Sequence, residues 1–182
     1  LDFAQRLCQK VIDINPTNLK LYVFLFEIAN IKKDDEAMAK AVEDIHNIED
    51  EGPLWHYYEA IRLATLTNEE NEAKRLDSAM GHLAQSKILR PNWERVPRLA
   101  GDIQLRKGDK EAALESLSDA VSKGSRDLQG IGALVSLLYE QGRNEEAQRY
   151  IRLLEDQDAQ VSTHTRRLQA QDMFLRGEYE EG

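Results

Sequence analysis

The sequence predicts an all-α fold, a solenoid built from antiparallel helix pairs. Two segments 34 residues apart, RKGDKEAALESLSDA and EQGRNEEAQRYIRLL, align Gly108 with Gly142 and Ala113 with Ala147. The same anchor alanine recurs along the chain, at Ala4, Ala37, Ala79, Ala113 and Ala147. Between these anchors the apolar residues follow helical spacing. One helix pair cannot bury its own apolar face, whereas stacked pairs can, so a regular series of pairs predicts a solenoid.

The anchors divide the chain into six segments, at steps of 33, 42, 34 and 34 residues. The segments are a lone second helix (1–18), four helix pairs (19–51, 52–93, 94–127 and 128–161) and a lone first helix (162–182). The segment 52–93 carries about eight extra residues, which lie in LATLTNEENEAKRL and predict a longer pair with a protruding turn. Pro16 and Pro91 each follow an anchor by 12 residues and close a helix, because proline disfavours helix before it.

Tight turns join the two helices of a pair, at KKDDE, KGDKE and QGRNE. The glycine in the last two supplies the left-handed backbone that ends a helix at little steric cost. The Asp or Asn that follows can cap the next helix. These residues therefore predict where one helix of a pair ends and the other begins.

Composition and charge exclude several classes of protein. The 182 residues carry a formal net charge of −9, which argues against nucleic acid as the main ligand. No apolar run approaches the roughly 18 residues that span a bilayer, so we expect no membrane insertion. The opening LDFAQRLCQK has no Met and no apolar leader region, so we expect a fragment of a longer protein. The lone Cys8 is expected to be a small buried hydrophobe and is weak evidence for a reducing compartment, so localisation stays open.

Motifs that carry catalysis or hold cofactors do not occur. The chain lacks HExxH, CxxC, GxGxxG, GxxxxGK[ST] and GxSxG, so we expect no metal, no cofactor and no enzymatic activity. The four histidines, His46, His56, His82 and His164, are expected to be surface or partly buried helix residues. The carboxylates of EDIHNIEDE and NEENE are expected to be solvated helix ends.

A 34-residue helix-turn-helix repeat with these landmarks resembles the tetratricopeptide repeat (TPR) family. The segment from Glu94 matches the family pattern at six places: Ala100, Gly101, Gln104, Ala113, Leu117 and Ala120. Glu27, Glu59 and Val135 depart from it, because they replace the glycine where helices cross closest. The resemblance covers nearly the whole chain and implies one right-handed superhelical solenoid, a piece of a larger multi-repeat protein.

The resemblance also implies a concave surface lined by the first helix of each pair. Carried over residue by residue, it offers eight candidate partner-binding residues: Glu27, Asn30, His56, Arg95, Arg98, Asp102, Arg106 and Tyr139. The three arginines would form a basic patch that steers and positions an acidic peptide. The alternative is that these arginines pair with neighbouring acidic residues of the chain.

The function predicted is a non-enzymatic scaffold that binds a protein or peptide partner in the concave groove. One alternative is a regulatory or substrate-presenting arm of a larger enzyme whose catalytic domain lies elsewhere. A further possibility is self-association through apolar faces exposed at the open ends of the solenoid. The partner, the pathway and the oligomeric state stay open.

Overall fold

The computed structural model of the chain describes residues 2–65 and 71–155. Helices dominate these residues, in the order α1 (Asp2–Ile14), α2 (Leu19–Lys32), α3 (Asp35–Glu49), α4 (Pro53–Thr65), α5 (Glu72–Leu89), α6 (Arg95–Arg106), α7 (Lys110–Ser122), α8 (Leu128–Glu140) and α9 (Asn144–Glu155). The all-α prediction is confirmed. The chain divides into two compact units, Leu1–Val96 and Pro97–Gly182.

In the first unit each helix packs against the next along the chain, and α2 also packs against α4. The core lies between these layers, where Phe26, Ile45 and Tyr58 are at most 1% exposed. The rings of Phe26 and Tyr58 meet edge to face, with centroids 4.9 Å apart. This aromatic contact joins α2 to α4 in an arrangement that aromatic pairs favour.

In the second unit the anchor residues are packing residues. Ala113, Leu117 and Ala147 are 0% exposed, and all three belong to the core built by α7, α8 and α9. A Cβ added to Gly101 on α6 would lie 2.6 Å from Cγ of Leu117 on α7. A larger residue at position 101 would therefore force the Leu117 side chain to shift where these two helices cross, and the anchors serve architecture rather than chemistry.

The turns follow the prediction at most places. Gly108 and Gly142 have φ angles of 78° and 71°, the left-handed region that glycine occupies cheaply. In KKDDE the same role falls to Lys33, at φ 55°. Asp109 caps α7 by accepting the Ala112 N–H at 3.1 Å, but Asn144 is already the first residue of α9.

The stretch LATLTNEENEAKRL, where the extra residues of the segment 52–93 are predicted, ends inside α5, which has 18 residues. The predicted protruding turn falls on 66–70, and the predicted last helix on 162–182; both lie outside the described residues. The division into repeats stays a prediction. Cys8 is 5% exposed and its Sγ donates to the Leu21 carbonyl at 3.3 Å, so its interpretation as a small buried residue is confirmed.

Candidate partner-binding surface

One face of α2 presents apolar side chains to solvent between charged ones. Lys20, Phe24, Glu27 and Ile31 are spaced by four, three and four residues, so they share one helix face. Phe24 is 47% exposed and Ile31 is 65% exposed. Asn30 is partly exposed beside this face. We call the four residues Lys20, Phe24, Glu27 and Ile31 the α2 face.

Sequence reasoning named Glu27 and Asn30 but missed Phe24 and Ile31. The signal was present in LKLYVFLFEIANI, where apolar residues occupy every side of the helix. A helix that is apolar all round must either be fully buried or expose part of that surface. Because α2 packs against α1, α3 and α4 but leaves one side uncovered, it exposes part of its apolar surface.

Tyr58 links two of the predicted residues, Glu27 on α2 and Arg95 at the start of α6. Its hydroxyl donates to the Glu27 carboxylate and accepts from the Arg95 guanidinium. Burial, followed by the negative charge of Glu27, raises the pKa of Tyr58 to about 12, against the opposing effect of Arg95. Arg95 itself remains exposed. Tyr58 thus contacts both charged residues.

His56 does not line an exposed surface. It is 6% exposed, so the expectation that every histidine is a surface or partly buried residue is wrong here. Its Nδ1 lies 3.1 Å from Nδ1 of His82 on α5. Burial, and then the neighbouring His82, lowers the pKa of His56.

Arg98 is held between two carboxylates of its own chain. Its guanidinium forms ion pairs with Asp102, one turn along α6, and with Asp127. Asp127 also caps α8 by accepting the Gly130 N–H at 2.6 Å. The Arg98 side chain is 18% exposed and lies against Gly130, where a Cβ would collide with it. For Arg98 the alternative interpretation, pairing with neighbouring acids, is confirmed.

The remaining predicted residues differ in exposure. Asp102 is partly exposed beside Arg98, and Arg106 is exposed at the end of α6. Tyr139 is 8% exposed and belongs to the core of the second unit, because α8 is buried along most of its length. The prediction that Tyr139 offers its side chain to a partner is therefore corrected to a packing role.

The described parts of the chain offer neither a metal centre nor a membrane segment. Across residues 2–65 and 71–155, no group of three or more His, Cys, Asp or Glu side chains is placed to hold a metal ion. None of the helices there combines the length and the apolar character needed to cross a bilayer.

Comparison with known proteins relates this helix arrangement to solved structures. No protein-family model matches the chain, and no curated protein matches it by sequence. TTC0263, a thermophilic TPR protein of Thermus thermophilus, superposes with a TM-score of 0.75 at 16% identity, covering 96% of this chain and 91% of that one. PilF of Pseudomonas aeruginosa superposes with a TM-score of 0.71 at 15% identity, covering 94% of this chain and 74% of that one. YrrB, described as a TPR protein with an unusual peptide-binding site, gives 0.61 at 13% identity, covering 95% and 85%.

These likenesses define a class: the chain is an all-α protein of stacked helix pairs. More closely, its fold is that of tetratricopeptide repeat proteins, as the resemblance of its repeats predicted. At 13–16% sequence identity, these structural similarities establish the fold alone. What the fold does in this chain is inferred from its own surface.

Proposed function

We propose that the chain is a non-enzymatic scaffold that binds a protein or peptide partner through the first helices of its pairs. The observation that carries this proposal is the α2 face, on which Phe24 and Ile31 are exposed two turns apart. Exposed apolar side chains in line on one helix gain free energy when a partner covers them, at about 25 cal/mol per Å² of apolar surface removed from water. YrrB, whose description records a peptide-binding site, lends support by its similar fold.

The α2 face favours a partner that carries apolar residues with a polar or basic residue between them. Phe24 and Ile31 are separated by seven residues, or about 10 Å along the helix axis. Glu27 lies between them on the same face, although Tyr58 already engages its carboxylate. A segment with two apolar side chains at that separation would match this spacing, in a helix or in an extended conformation.

An acidic partner, steered by arginines, is the less supported version of this proposal. Asp102 and Asp127 balance the charge of Arg98 within the chain. Of the three arginines predicted to form a basic patch, Arg95 and Arg106 are the exposed ones. The alternative of a regulatory arm of a larger enzyme and the possibility of self-association stay predictions.

The proposal is tested by capturing partners with three versions of the chain: wild type, Ile31→Ser and Ile88→Ser. Ile88 is a matched control because it is also an exposed isoleucine, at 71% against 65% for Ile31, but it lies on the second helix of its pair. We expect proteins that bind the wild type and Ile88→Ser to be lost with Ile31→Ser. Equal capture by all three versions would overturn the assignment to the α2 face.

A further inference from the structure

Three histidines and one glutamate form a cluster where α3, α4 and α5 meet, which we call the histidine cluster: His46, Glu51, His56 and His82. His56 occupies the centre. Its Nδ1 faces Nδ1 of His82 at 3.1 Å, and its Nε2 faces Glu51 Oε2 at 3.5 Å. On the other side of Glu51, Oε1 lies 3.7 Å from Nε2 of His46. The cluster thus connects the end of α3 to α5 through the buried ring on α4.

Trp55 holds these rings in place. Its ring lies 4.3 Å from the His56 ring, 4.4 Å from the His46 ring and 5.4 Å from the His82 ring, measured between centroids. Glu49 fixes the start of α4, because its carboxylate accepts the backbone N–H groups of Leu54 and Trp55 at 2.8 and 2.9 Å. Trp55 therefore places the three imidazoles next to the N-terminal turn of α4.

The geometry limits how many protons the cluster can bind. Two ring nitrogens at 3.1 Å share one hydrogen bond, in which one nitrogen donates and the other accepts. A neutral pair satisfies this requirement, and so does a pair with one added proton. When both His56 and His82 are doubly protonated, two N–H groups point at each other, and the contact must open.

The charges around His56 act in both directions. Glu51, from the turn after α3, favours a proton on His56, whereas His82 on α5 and His46 on α3 oppose it, and burial opposes it further. Glu27 of α2, the other helix packed on α4, contacts Tyr58 rather than this cluster. Because burial and the neighbouring imidazoles outweigh Glu51, His56 takes up a proton less readily in the folded chain than in the unfolded chain.

We propose that the histidine cluster is a pH-sensitive contact that holds α4 against α5 and weakens in mildly acidic solution. A histidine whose pKa is lowered by folding contributes stability that is complete above its unfolded pKa of about 6.5 and is lost as the pH falls below that value. If the folded chain keeps His56 neutral, the equilibrium constant for opening rises by at most about tenfold for each unit by which the pH falls. The packing of α4, the predicted first helix of its pair, against α5 would therefore depend on pH.

Hydrogen exchange measured by mass spectrometry between pH 7.5 and 5.5 tests this proposal on the whole chain. After correction for the intrinsic pH dependence of exchange, we expect peptides of α4 and α5 to lose up to about fivefold in protection between pH 6.5 and 5.5, the limit for one histidine with an unfolded pKa of about 6.5. The helix α8, which contains no histidine, serves as the internal reference and should keep its protection. Unchanged protection of α4 and α5, or an equal loss in α8, would contradict the proposal.

Variants separate the cluster from general acid effects. His56→Gln should abolish the pH-dependent loss of protection in α4 and α5, because it removes the buried ring that resists a proton. His82→Gln should reduce the loss without abolishing it, because a neutral amide removes the clash of two N–H groups while burial still opposes a proton on His56. His164→Gln removes a histidine that lies outside the described residues and should leave the loss intact. If circular dichroism shows that His56→Gln is unfolded at pH 7.5, the partly exposed His82 carries the test. If His82→Gln then loses as much protection in α4 and α5 at low pH as the wild type does, the proposed pH-sensitive contact is refuted.

Discussion

The close crossing of α6 and α7 makes a double-mutant prediction. In Gly101→Ala the new Cβ would lie 2.6 and 2.7 Å from Cγ and Cδ2 of Leu117, which is 0% exposed. Overpacking of this kind costs about 1–3 kcal/mol, and replacing a helical glycine by alanine returns up to about 1 kcal/mol. We therefore expect Gly101→Ala to lower the free energy of unfolding by about 1 kcal/mol.

Leu117→Ala removes the atoms that the new Cβ would meet. Alone, it should lower the free energy of unfolding by about 2–5 kcal/mol, because it leaves a cavity in a buried site. Combined with Gly101→Ala, the loss should be smaller than the sum of the two single losses, by at least about 1 kcal/mol. Urea denaturation followed by circular dichroism at 222 nm measures all four proteins of the cycle.

A matched control is available at Gly81 on α5, which is also a helical glycine. A Cβ built there meets nothing within 4 Å, so Gly81→Ala should raise the free energy of unfolding by about 0.5–1 kcal/mol. If Gly101→Ala also stabilises the chain, or if its effect and that of Leu117→Ala add to within about 0.5 kcal/mol, the two residues are not coupled. That result would refute the close crossing of α6 and α7.

Two further predictions concern a helix cap and a buried phenol. Asp109→Ala should lower the free energy of unfolding by about 1 kcal/mol in urea denaturation, because α7 loses the carboxylate that accepts the Ala112 N–H. Glu115→Ala, which changes an exposed residue of the same helix, should alter the free energy of unfolding little. Equal effects of the two substitutions would argue against the cap. Tyr58 should ionise near pH 12, and because folding raises its pKa, its contribution to stability should be complete below about pH 10 and lost as the pH rises toward 12. Absorbance at 295 nm during alkaline titration should show a late phase that disappears in Tyr58→Phe, and retention of that phase would contradict the assignment.

Much of the fold could be predicted because its signals are local. The positive φ angles of Gly108 and Gly142 follow from residue type and position in the turn. The burial of Ala113 and Leu117 follows from helical periodicity. Lys33 shows the limit of such signals, since a residue without glycine's freedom adopts the same left-handed conformation where KKDDE closes a pair.

The surface could be predicted less well, because it depends on contacts between helices distant in sequence. Arg98 was expected in an open basic patch, but it pairs with Asp127, which lies 29 residues further along the chain. The acidic residue directly before LQGIGALV was the available signal, since such a residue caps the helix and attracts a cation. His56 and His82, 26 residues apart, meet because α4 and α5 pack side by side in one register, which periodicity alone does not reveal.

Partner binding through the α2 face is tested most directly by titrating a captured partner segment against the three matched chains. If a partner buries the Ile31 side chain, Ile31→Ser should weaken binding by about tenfold or more, because about 1.4 kcal/mol corresponds to a factor of ten in Kd. Ile88→Ser should leave Kd within about twofold of the wild type, since it removes a similarly exposed isoleucine from a second helix. Equal affinities for all three chains, or a loss confined to Ile88→Ser, would contradict binding through the first helices.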